Sequence, residues 1–255
     1  MTISKDIQQP LYRCKEWELT TPPVPDWKKG SGATSDEWKK HKKIEFDPYE
    51  GRTGVDNFKL MTSAISPRPL GFLSTISKDG VHNLAPFSYF TVVCADPPIF
   101  TIGISNSPSG LKDTPKNIVE TGELTINIIS EWLVEASNET SANAPSDIDE
   151  WELSGLSKLP STKVKPPHVA ESAFSVEAKL LYRHDFEPKS KEGKHSGTLF
   201  IVEGVNFHAR EDLLNERKNN IDITKYKPVA RLGGCIYTVT DTGFEIPKPL
   251  YSPQK

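Results

Sequence analysis

The sequence is poor in cysteine, in long apolar runs and in excess charge of either sign. Its 255 residues include three cysteines, Cys14, Cys94 and Cys235, which are far apart and form no Cys-x-x-Cys pair. An odd and scattered set argues against a disulfide framework and a structural zinc site, and it favours a reducing compartment. The formal net charge is -3, so the chain has no basic field that would attract nucleic acid or acidic membranes.

Segments that would direct the chain to a membrane are also missing. No apolar run approaches the length of a membrane span. The first ten residues, MTISKDIQQP, contain no apolar stretch of the kind a secretory signal peptide requires. We therefore expect a cytoplasmic protein that has neither a membrane nor a nucleic acid as its partner.

Several familiar catalytic and nucleotide-binding motifs are absent. The sequence contains no Gly-x-Gly-x-x-Gly, no Walker A motif, no Gly-x-Ser-x-Gly and no His-Glu-x-x-His. Its six histidines never fall at metal-ligand spacing. These absences argue against a Rossmann crevice, serine hydrolysis and zinc chemistry. We expect no metal, and the residues alone nominate no catalytic acid or base.

The first part of the chain differs in composition from the rest. The stretch TTPPVPDWKKGSGATSDEWKKHKKIEF mixes proline, glycine, lysine and tryptophan without a clear period. We interpret residues 1–50 as an extended arm, residues 51–245 as one β domain and residues 246–255 as a tail. Trp17, Trp27 and Trp38 are candidates to anchor the arm to a surface, because indoles make good contact residues.

From about Asn57 the pattern is that of short strands and few helices. RPLGFLSTIS predicts a strand, KDG a hairpin turn and VHNLAPFSYF the returning strand, which Asn83 and Pro86 interrupt. Further strand patterns follow in TVVCA, IFTIGIS, ELTINIIS, AFSVEAKLLYRHDFE, GTLFIVEGVNFHA and CIYTVT, with short helices in EWLVEASNETSA, DIDEWELSG and DITKYKP. Because long crossover helices are missing, the pattern predicts a closed or sandwiched antiparallel β architecture.

The segment TPKNIVETG predicts a helix with Thr114 as its N-cap, Pro115 at the first helical position and Gly122 at the stop. The N-terminus of such a helix presents free N–H groups and a partial positive charge, which suit a phosphate. Lys112 would add a full charge at the same point. The residues also fit a simple N-cap with a solvated lysine, and the sequence leaves both readings open.

Two other segments are candidates for ligand contacts. Arg68 lies between two prolines in SPRP and is pre-positioned for an anion or a carbonyl edge, although pairing with a surface carboxylate fits as well. In NLAPFS, strand alternation places Asn83 and Phe87 on one face and Leu84 and Ser88 on the other. The missing donor at Pro86 would free backbone groups for a flat heteroaromatic ring, or mark a simple β-bulge.

Taken in order, ISPRPLGFLSTISKDGVHNLAPFSYF, DPPIFTIGIS, KDTPKNIVETGELTINII and PVARLGG resemble the flavin reductase-like, FMN-binding split-barrel family. The resemblance covers about Met61 to Thr240. It is nearest to the branch described as flavoprotein oxygenase-like or flavoredoxin-like. It implies a mainly β fold, an antiparallel six-stranded split barrel with a few short peripheral helices, in a homodimer with FMN near the interface.

The resemblance also implies which residues bind the cofactor. It places NLAPFS along the isoalloxazine ring of the flavin. It places the Lys-Asp-Thr segment and the Ser-Thr pair toward the ribityl chain and the phosphate. Arg68 would contact the flavin on its ring side or on its phosphate side. FAD would be a possible substitute for FMN. The cofactor-binding residues implied are Arg68, Ser74, Thr75, Ile76, Asn83, Leu84, Ala85, Pro86, Ser88, Lys112, Asp113 and Thr114.

Three functions follow from this resemblance. The first is an FMN-dependent oxidoreductase, an NAD(P)H:flavin reductase in its simplest form, in which hydride passes through the bound flavin. The second is a flavoredoxin-like electron carrier or flavin-binding protein without its own nicotinamide site. The third, a structural β domain with a vestigial site, is disfavoured because Asn83 and the Lys-Asp-Thr segment are intact.

Overall fold

The computed structural model describes residues 16–105, 111–142, 144–145, 148–189 and 196–251. No helix within these ranges is long and apolar enough to cross a membrane. The helices are α1 (Gly54–Ala64), α2 (Asp113–Thr121), α3 (Val134–Glu139), α4 (Glu150–Ser154) and α5 (Ile223–Tyr226), with 3-10 turns at Glu37–Lys40, Glu131–Leu133 and Glu211–Leu213. The strands are β1 (Glu18–Thr20), β2 (Arg68–Pro69), β3 (Gly71–Ile76), β4 (His82–Phe87), β5 (Tyr89–Ala95), β6 (Pro98–Ser105), β7 (Glu123–Ile128), β8 (Lys158–Leu159), β9 (His168–Val169), β10 (Phe174–Phe186), β11 (Gly197–Ala209), β12 (Val229–Arg231), β13 (Tyr237–Val239) and β14 (Thr242–Phe244).

Seven of these strands form one antiparallel sheet in the order β4-β3-β7-β10-β11-β6-β5. Strands β4 and β5 lie at opposite edges of the sheet, yet only Ser88 separates them in the sequence. The sheet must therefore curl until its two edges meet at Ser88, which makes it a barrel. Counted as one interrupted strand, β4 and β5 give the six strands expected, and the mainly β, antiparallel class is confirmed.

Side-chain alternation along the strands divides the core into two layers. The barrel interior is filled by residues such as Leu73, Ile126 and Phe200, none of which is exposed. A second buried cluster lies on the outer face of β3 and β4, where Phe72 and Leu84 pack with Trp151 of α4. Strand alternation alone dictates this division, because successive residues point to opposite sides of a sheet.

The expectation of β texture from Asn57 onward is wrong for the first few residues, which belong to α1. A capping box begins this helix: Thr53 Oγ1 accepts from the Asp56 N–H at 3.1 Å, and the Thr53 N–H donates to Asp56 Oδ2 at 2.9 Å. The two bonds satisfy otherwise unpaired donors at the helix start. The pattern T-x-x-D that forms this capping box is visible in the sequence, and it fixes where α1 begins.

The helix predicted with Thr114 as N-cap and Pro115 as first residue begins two residues earlier, at Asp113, and its N-cap is Lys112, so the N-cap assignment is wrong. Thr114 lies in the first turn, and its Oγ1 accepts a hydrogen bond from Asn83 Nδ2 at 2.8 Å instead of capping the helix. The predicted stop is confirmed, since Gly122 closes α2 in the left-handed conformation with φ 70°. Glycine adopts that conformation without a Cβ clash.

The prediction that Asn83 and Pro86 interrupt the returning strand is also wrong. Strand β4 runs through both residues to Phe87, and the interruption falls at Ser88. The Leu84 N–H points away from β3, toward the Glu150 carboxylate. Pro86 lies two residues further along and has the same orientation, so its missing N–H costs β4 no ladder bond with β3.

The arm is attached to the other end of the chain. Strand β1 pairs in parallel with β14, and Trp17 packs so closely on Gly243 that a Cβ there would lie 2.8 Å from the indole. Trp17 therefore anchors the arm, whereas Trp27 and Trp38 are 50% and 66% exposed. The domain boundaries drawn from the sequence stay a prediction. Cys14 and much of the charged loop EPKSKEGKHS lie outside the described residues.

Candidate functional site

The site is organised by the free edge of β4. The Leu84 N–H donates to Glu150 Oε2 at 3.2 Å, so alternate residues of β4 turn their backbone polar groups away from β3. One pocket lies at the His82 end of this edge and a second at its Pro86 end. His82 and Ser88 are six residues apart, roughly 20 Å along a strand. The arrangement suits an elongated ligand laid along β4.

A buried network of amides and hydroxyls joins β3, β4 and α2. Asn83 Nδ2 donates to Thr114 Oγ1 at 2.8 Å and to Thr75 Oγ1 at 3.2 Å. Asn117 Nδ2 donates to the same Thr75 oxygen at 3.1 Å. All four residues are at most 6% exposed. The network fixes the first turn of α2 against the start of β4.

The pocket at this end, which we call the helix pocket, has a volume of about 250 Å³. His82 Nδ1 is buried there without a hydrogen-bond partner among the described residues. Burial lowers the pKa of His82, and Lys158 lowers it further, so the ring favours its neutral form. Burial raises the pKa of Glu150, although the Leu84 N–H opposes that effect. The helix pocket is defined by His82, Asn83, Asp113, Lys116, Asn117 and Glu150.

Arg68 lies at the other end of the edge and is 7% exposed. Its guanidinium donates to the carbonyl oxygens of Thr62, Ile65 and Leu232, the last two at 2.9 and 3.0 Å, and its Nε–H to Ser88 Oγ at 3.3 Å. This one side chain ties the end of α1 and the segment after β12 to the junction of β4 and β5. The surface carboxylate partner that the sequence allowed is not present in the described part of the chain.

The second pocket, which we call the arginine pocket, has a volume of about 210 Å³. Arg231 enters it from β12, and its guanidinium carbon lies 4.2 Å from the centroid of the Tyr237 ring. Arg231 also donates from Nε and Nη2 to the Gly234 carbonyl oxygen, at 3.2 and 2.9 Å. The arginine pocket is defined by Phe58, Arg68, Pro86, Ser88, Arg231 and Tyr237.

The residues predicted from the sequence fall into two groups and a remainder. Thr75, Asn83, Asp113 and Thr114 lie in or beside the helix pocket, with Lys112 exposed at the N-cap of α2. Arg68, Pro86 and Ser88 line the arginine pocket, and Leu84 lies between the two pockets. The remaining three predicted residues lie apart from both pockets, with Ser74 buried on the outer face of β3, Ala85 on the inner face of β4 and Ile76 beside a third pocket of about 340 Å³.

Sequence reasoning missed seven of the twelve residues that define these pockets, namely His82, Lys116, Asn117 and Glu150 in the helix pocket and Phe58, Arg231 and Tyr237 in the arginine pocket. Asn117 follows Thr114 by three positions and so shares its helix face, a spacing visible in the sequence. Glu150 and Arg231 are distant from β4 in the chain, and only the barrel brings them to its edge. Arg231 stands inside the motif PVARLGG, which gave no local reason to single it out.

Solved structures with the same fold include two that share more than a quarter of their residues with this chain. Nitrilotriacetate monooxygenase component B from Bacillus cereus is 34% identical, with a TM-score of 0.74 and coverage of 81% of this chain and 100% of that one. The 2-nitrobenzoate 2-nitroreductase NbaA of Pseudomonas fluorescens is 28% identical, with a TM-score of 0.72 and coverage of 84% and 99%. The flavoredoxin of Desulfovibrio vulgaris, at 24% identity, 74% and 91% coverage and a TM-score of 0.57, shares the fold.

The sequence also matches a family described as Flavin reductase like domain over residues 62–226. These limits begin inside α1 and end at the last residue of α5, so they enclose β2 to β11 and both ends of the β4 edge. A solved structure with a split barrel domain, from Shewanella frigidimarina, shares the fold at 23% identity and a TM-score of 0.65, in agreement with the barrel closure at Ser88. The chain belongs to the flavin reductase-like family.

Proposed function

We propose that this protein is an FMN-dependent oxidoreductase that takes hydride from NAD(P)H through a flavin bound along the free edge of β4. The observation that carries the proposal is that edge, with the helix pocket at one end and the arginine pocket at the other. Family membership and the solved reductase and monooxygenase-component structures support the same reading.

The residues at the helix pocket fit the phosphate end of FMN. Helix α2 has nine residues, and the N–H groups of its first turn have no acceptor within the helix. Lys112 stands at its N-cap, and the Asn83–Thr114 bond fixes the position of the turn. His82 Nδ1 is a buried polar atom without a partner in the described ranges. A phosphate here would meet a helix N-terminus, the charge of Lys116 and a rigid support, with Lys112 at the N-cap beside the pocket and the carboxylates of Asp113 and Glu150 in its lining.

The residues along β4 and at its far end fit the ring. Pro86 and Leu84 present an edge without a second strand on the described chain, and Arg68 holds Ser88 beside it. FMN supplies the redox chemistry when bound, because its ring accepts hydride and passes electrons on. The work left to the protein is to bind and orient the ring, and to stabilise negative charge near Arg68. This division explains why the sequence nominates no acid or base.

An anaerobic titration tests the reaction. Protein purified with FMN should be yellow, and NADH or NADPH should bleach the flavin absorbance without any other protein. We expect one of the two donors to bleach the flavin completely. A yellow protein that neither donor bleaches would contradict the reductase proposal, and a chain that does not bind FMN would contradict flavin function altogether.

Paired ligands test the phosphate assignment. Lys112→Ala or Thr114→Val should weaken FMN binding about tenfold, because each removes a group from the proposed phosphate end. The same changes should leave riboflavin, which lacks the phosphate, within about twofold. Fluorescence quenching of each flavin gives both dissociation constants.

The control for these variants is Lys179→Ala, which removes an exposed lysine on β10 that lines neither the helix pocket nor the arginine pocket. It should change neither constant. Equal weakening of FMN and riboflavin by Lys112→Ala and Thr114→Val would show that the phosphate lies elsewhere.

A flavoredoxin-like electron carrier is the second candidate. The helix and arginine pockets measure about 250 and 210 Å³, below the range of about 300–1,000 Å³ typical of small-molecule sites. Neither offers a separate nicotinamide chamber, and this observation favours a carrier whose flavin meets a protein partner. The titration separates the candidates, because a carrier stays yellow with NADH and NADPH but bleaches with a chemical reductant.

We also propose a cytoplasmic homodimer. Strand β5 is an edge strand whose Tyr89, Val92 and Val93 are 38 to 63% exposed, and α1 also exposes Phe58 and Met61. Apolar surface of this kind suits a partner subunit. Cys94 and Cys235 are free and exposed, which suits a reducing compartment.

A further inference from the structure

Two guanidinium groups line the arginine pocket, and neither has an acidic partner. Within the described ranges, no carboxylate lies within 4.0 Å of Arg68 or Arg231. Arg68 is 7% exposed, so its charge is largely removed from water. Burying a charge without a counter-ion is costly, and an anion in the adjoining pocket would offset that cost.

The donors of the two arginines are used to different degrees. A guanidinium has five N–H groups. Arg68 directs four of them to Thr62, Ile65, Leu232 and Ser88. Arg231 uses two on the Gly234 carbonyl and one toward the Tyr237 hydroxyl, which leaves two for a ligand. Arg68 therefore supplies mainly charge, and Arg231 supplies charge and hydrogen bonds.

Arg231 is also held in place. Its guanidinium stacks on the Tyr237 ring at 4.2 Å, and the Tyr237 hydroxyl donates to Asn138 Oδ1 at 2.8 Å. The Tyr237 ring covers one face of the Arg231 guanidinium, and the Gly234 carbonyl oxygen takes hydrogen bonds at one of its edges. The other edge of the guanidinium is the part that a ligand can contact. A pre-positioned guanidinium fork matches the two oxygens of a carboxylate.

The remaining walls combine apolar side chains with hydroxyl groups. Phe58, Leu70 and Pro86 line the pocket together with the hydroxyls of Ser88 and Ser141. Its volume of about 210 Å³ is too small for a dinucleotide and suits a compact molecule. We propose that the arginine pocket binds a small organic acid, whose carboxylate meets Arg231 near Arg68 and whose apolar body packs on Phe58 and Pro86. The acid would lie beside the flavin edge, so this assignment rests on the proposed function.

Calorimetry of the FMN-loaded protein with benzoate as the probe tests this assignment. Benzoate should bind at least tenfold more tightly than benzamide, which keeps the ring and loses the charge, because a hydrogen bond to a charged group is stronger than one between neutral groups. It should also bind at least tenfold more tightly than inorganic phosphate, which has the charge without the apolar body. Equal binding of benzoate and benzamide would overturn the proposal, and a preference for phosphate would point to a nucleotide phosphate instead.

Variants of Arg231 assign the recognition to a residue. Arg231→Gln should weaken benzoate binding at least tenfold, and Arg231→Lys should restore part of the loss. FMN affinity is measured for both variants, and any loss there should be smaller than the loss for benzoate. The matched control is Arg210→Gln, which removes an arginine that lies 5.1 Å over the Trp132 ring outside the pocket. It should leave benzoate binding unchanged. If Arg231→Gln weakens FMN as much as benzoate, Arg231 contacts the flavin and the proposal fails.

The same titrations on flavin-free protein separate this inference from the proposed function. Benzoate binding that depends on Arg231 in a chain that does not bind FMN would leave the anion pocket standing and remove the flavin proposal. A protein that binds FMN but shows no Arg231-dependent benzoate binding would leave the flavin proposal standing and remove the anion pocket.

Discussion

Glu177→Ala should lower the free energy of unfolding by about 3–5 kcal/mol, the usual cost of removing one partner from a buried charged cluster. Glu177 lies on β10 with a side chain that is not exposed. Its carboxylate accepts from the N–H groups of Thr162 at 3.0 Å and Val164 at 3.1 Å, and contacts His208 Nε2 at 2.6 Å. Without the carboxylate those backbone donors lose their acceptor. Urea unfolding followed by circular dichroism measures the change.

The control is Glu203→Ala on the neighbouring strand β11, where the side chain is half-buried. We expect less than about 1 kcal/mol there, since this change removes no comparable cluster. Glu177→Gln should fall between the two, because its amide oxygen accepts some of the same bonds while its NH₂ group faces donors. A loss for Glu177→Ala no larger than for Glu203→Ala would show that the cluster does not stabilise the fold.

The Glu177 contribution should depend on pH in a defined direction. Burial raises the pKa of Glu177, but hydrogen bonds from Thr162, Asn206, His208 and Lys163 outweigh burial and hold it well below its ordinary value of 4.5. A carboxyl whose pKa is lowered in the folded state stabilises the protein above its unfolded value and loses that contribution as the pH falls. The stability difference between wild type and Glu177→Gln should therefore narrow below about pH 4.5. A difference in unfolding free energy that stays constant as the pH falls would show that the lowered pKa of Glu177 does not stabilise the fold.

Arg68→Met should lower the free energy of unfolding by about 3 kcal/mol, because the carbonyl oxygens of Thr62, Ile65 and Leu232 would lose their donor in a buried site. Methionine keeps the apolar stem of the side chain and removes the guanidinium. The loss therefore reports on the hydrogen bonds and the volume of the guanidinium together. Chemical denaturation of the flavin-free protein gives the value without a contribution from bound ligand.

Arg210→Met is the matched control, since Arg210 is 45% exposed and pairs with Asp212 at the surface. An exposed ion pair contributes about 0–1 kcal/mol, so the change should be small. Arg68→Lys should recover less than half of the Arg68→Met loss, because an ammonium group cannot reach three carbonyls set around a planar fork. A full rescue by lysine would show that charge alone, and not geometry, makes Arg68 stabilising.

Much of the local structure could be predicted from the sequence. The alternation in ELTINIIS and GTLFIVEGVNFHA predicts β7 and β11, and Gly122 predicts the end of α2. These features depend on residues only a few positions apart in the sequence, because strand alternation and the conformational preferences of turn residues act over that distance. The start of α2 differs by two residues from the predicted one, and there the Thr114 hydroxyl accepts a hydrogen bond from the distant Asn83 instead of capping the helix.

The candidate site was only partly predictable for the same reason. Asn83, Thr114 and Arg68 stand in recognisable motifs, and the structure brings the first two into one network. Glu150 lies 66 positions from Leu84, and Arg231 lies more than 140 positions from Ser88. No local pattern encodes such pairs, because they meet only when the sheet closes.

The sequence by itself determined the mainly β class, the two faces of β4 and the end of α2 at Gly122. It did so because strand alternation, capping and turn formation act over short distances along the chain. The tertiary structure alone decided that Pro86 lies harmlessly on a free edge, that the strand break falls at Ser88 and that two arginines share one pocket. These features follow from the curling of the sheet, which brings its first and last strands together at Ser88.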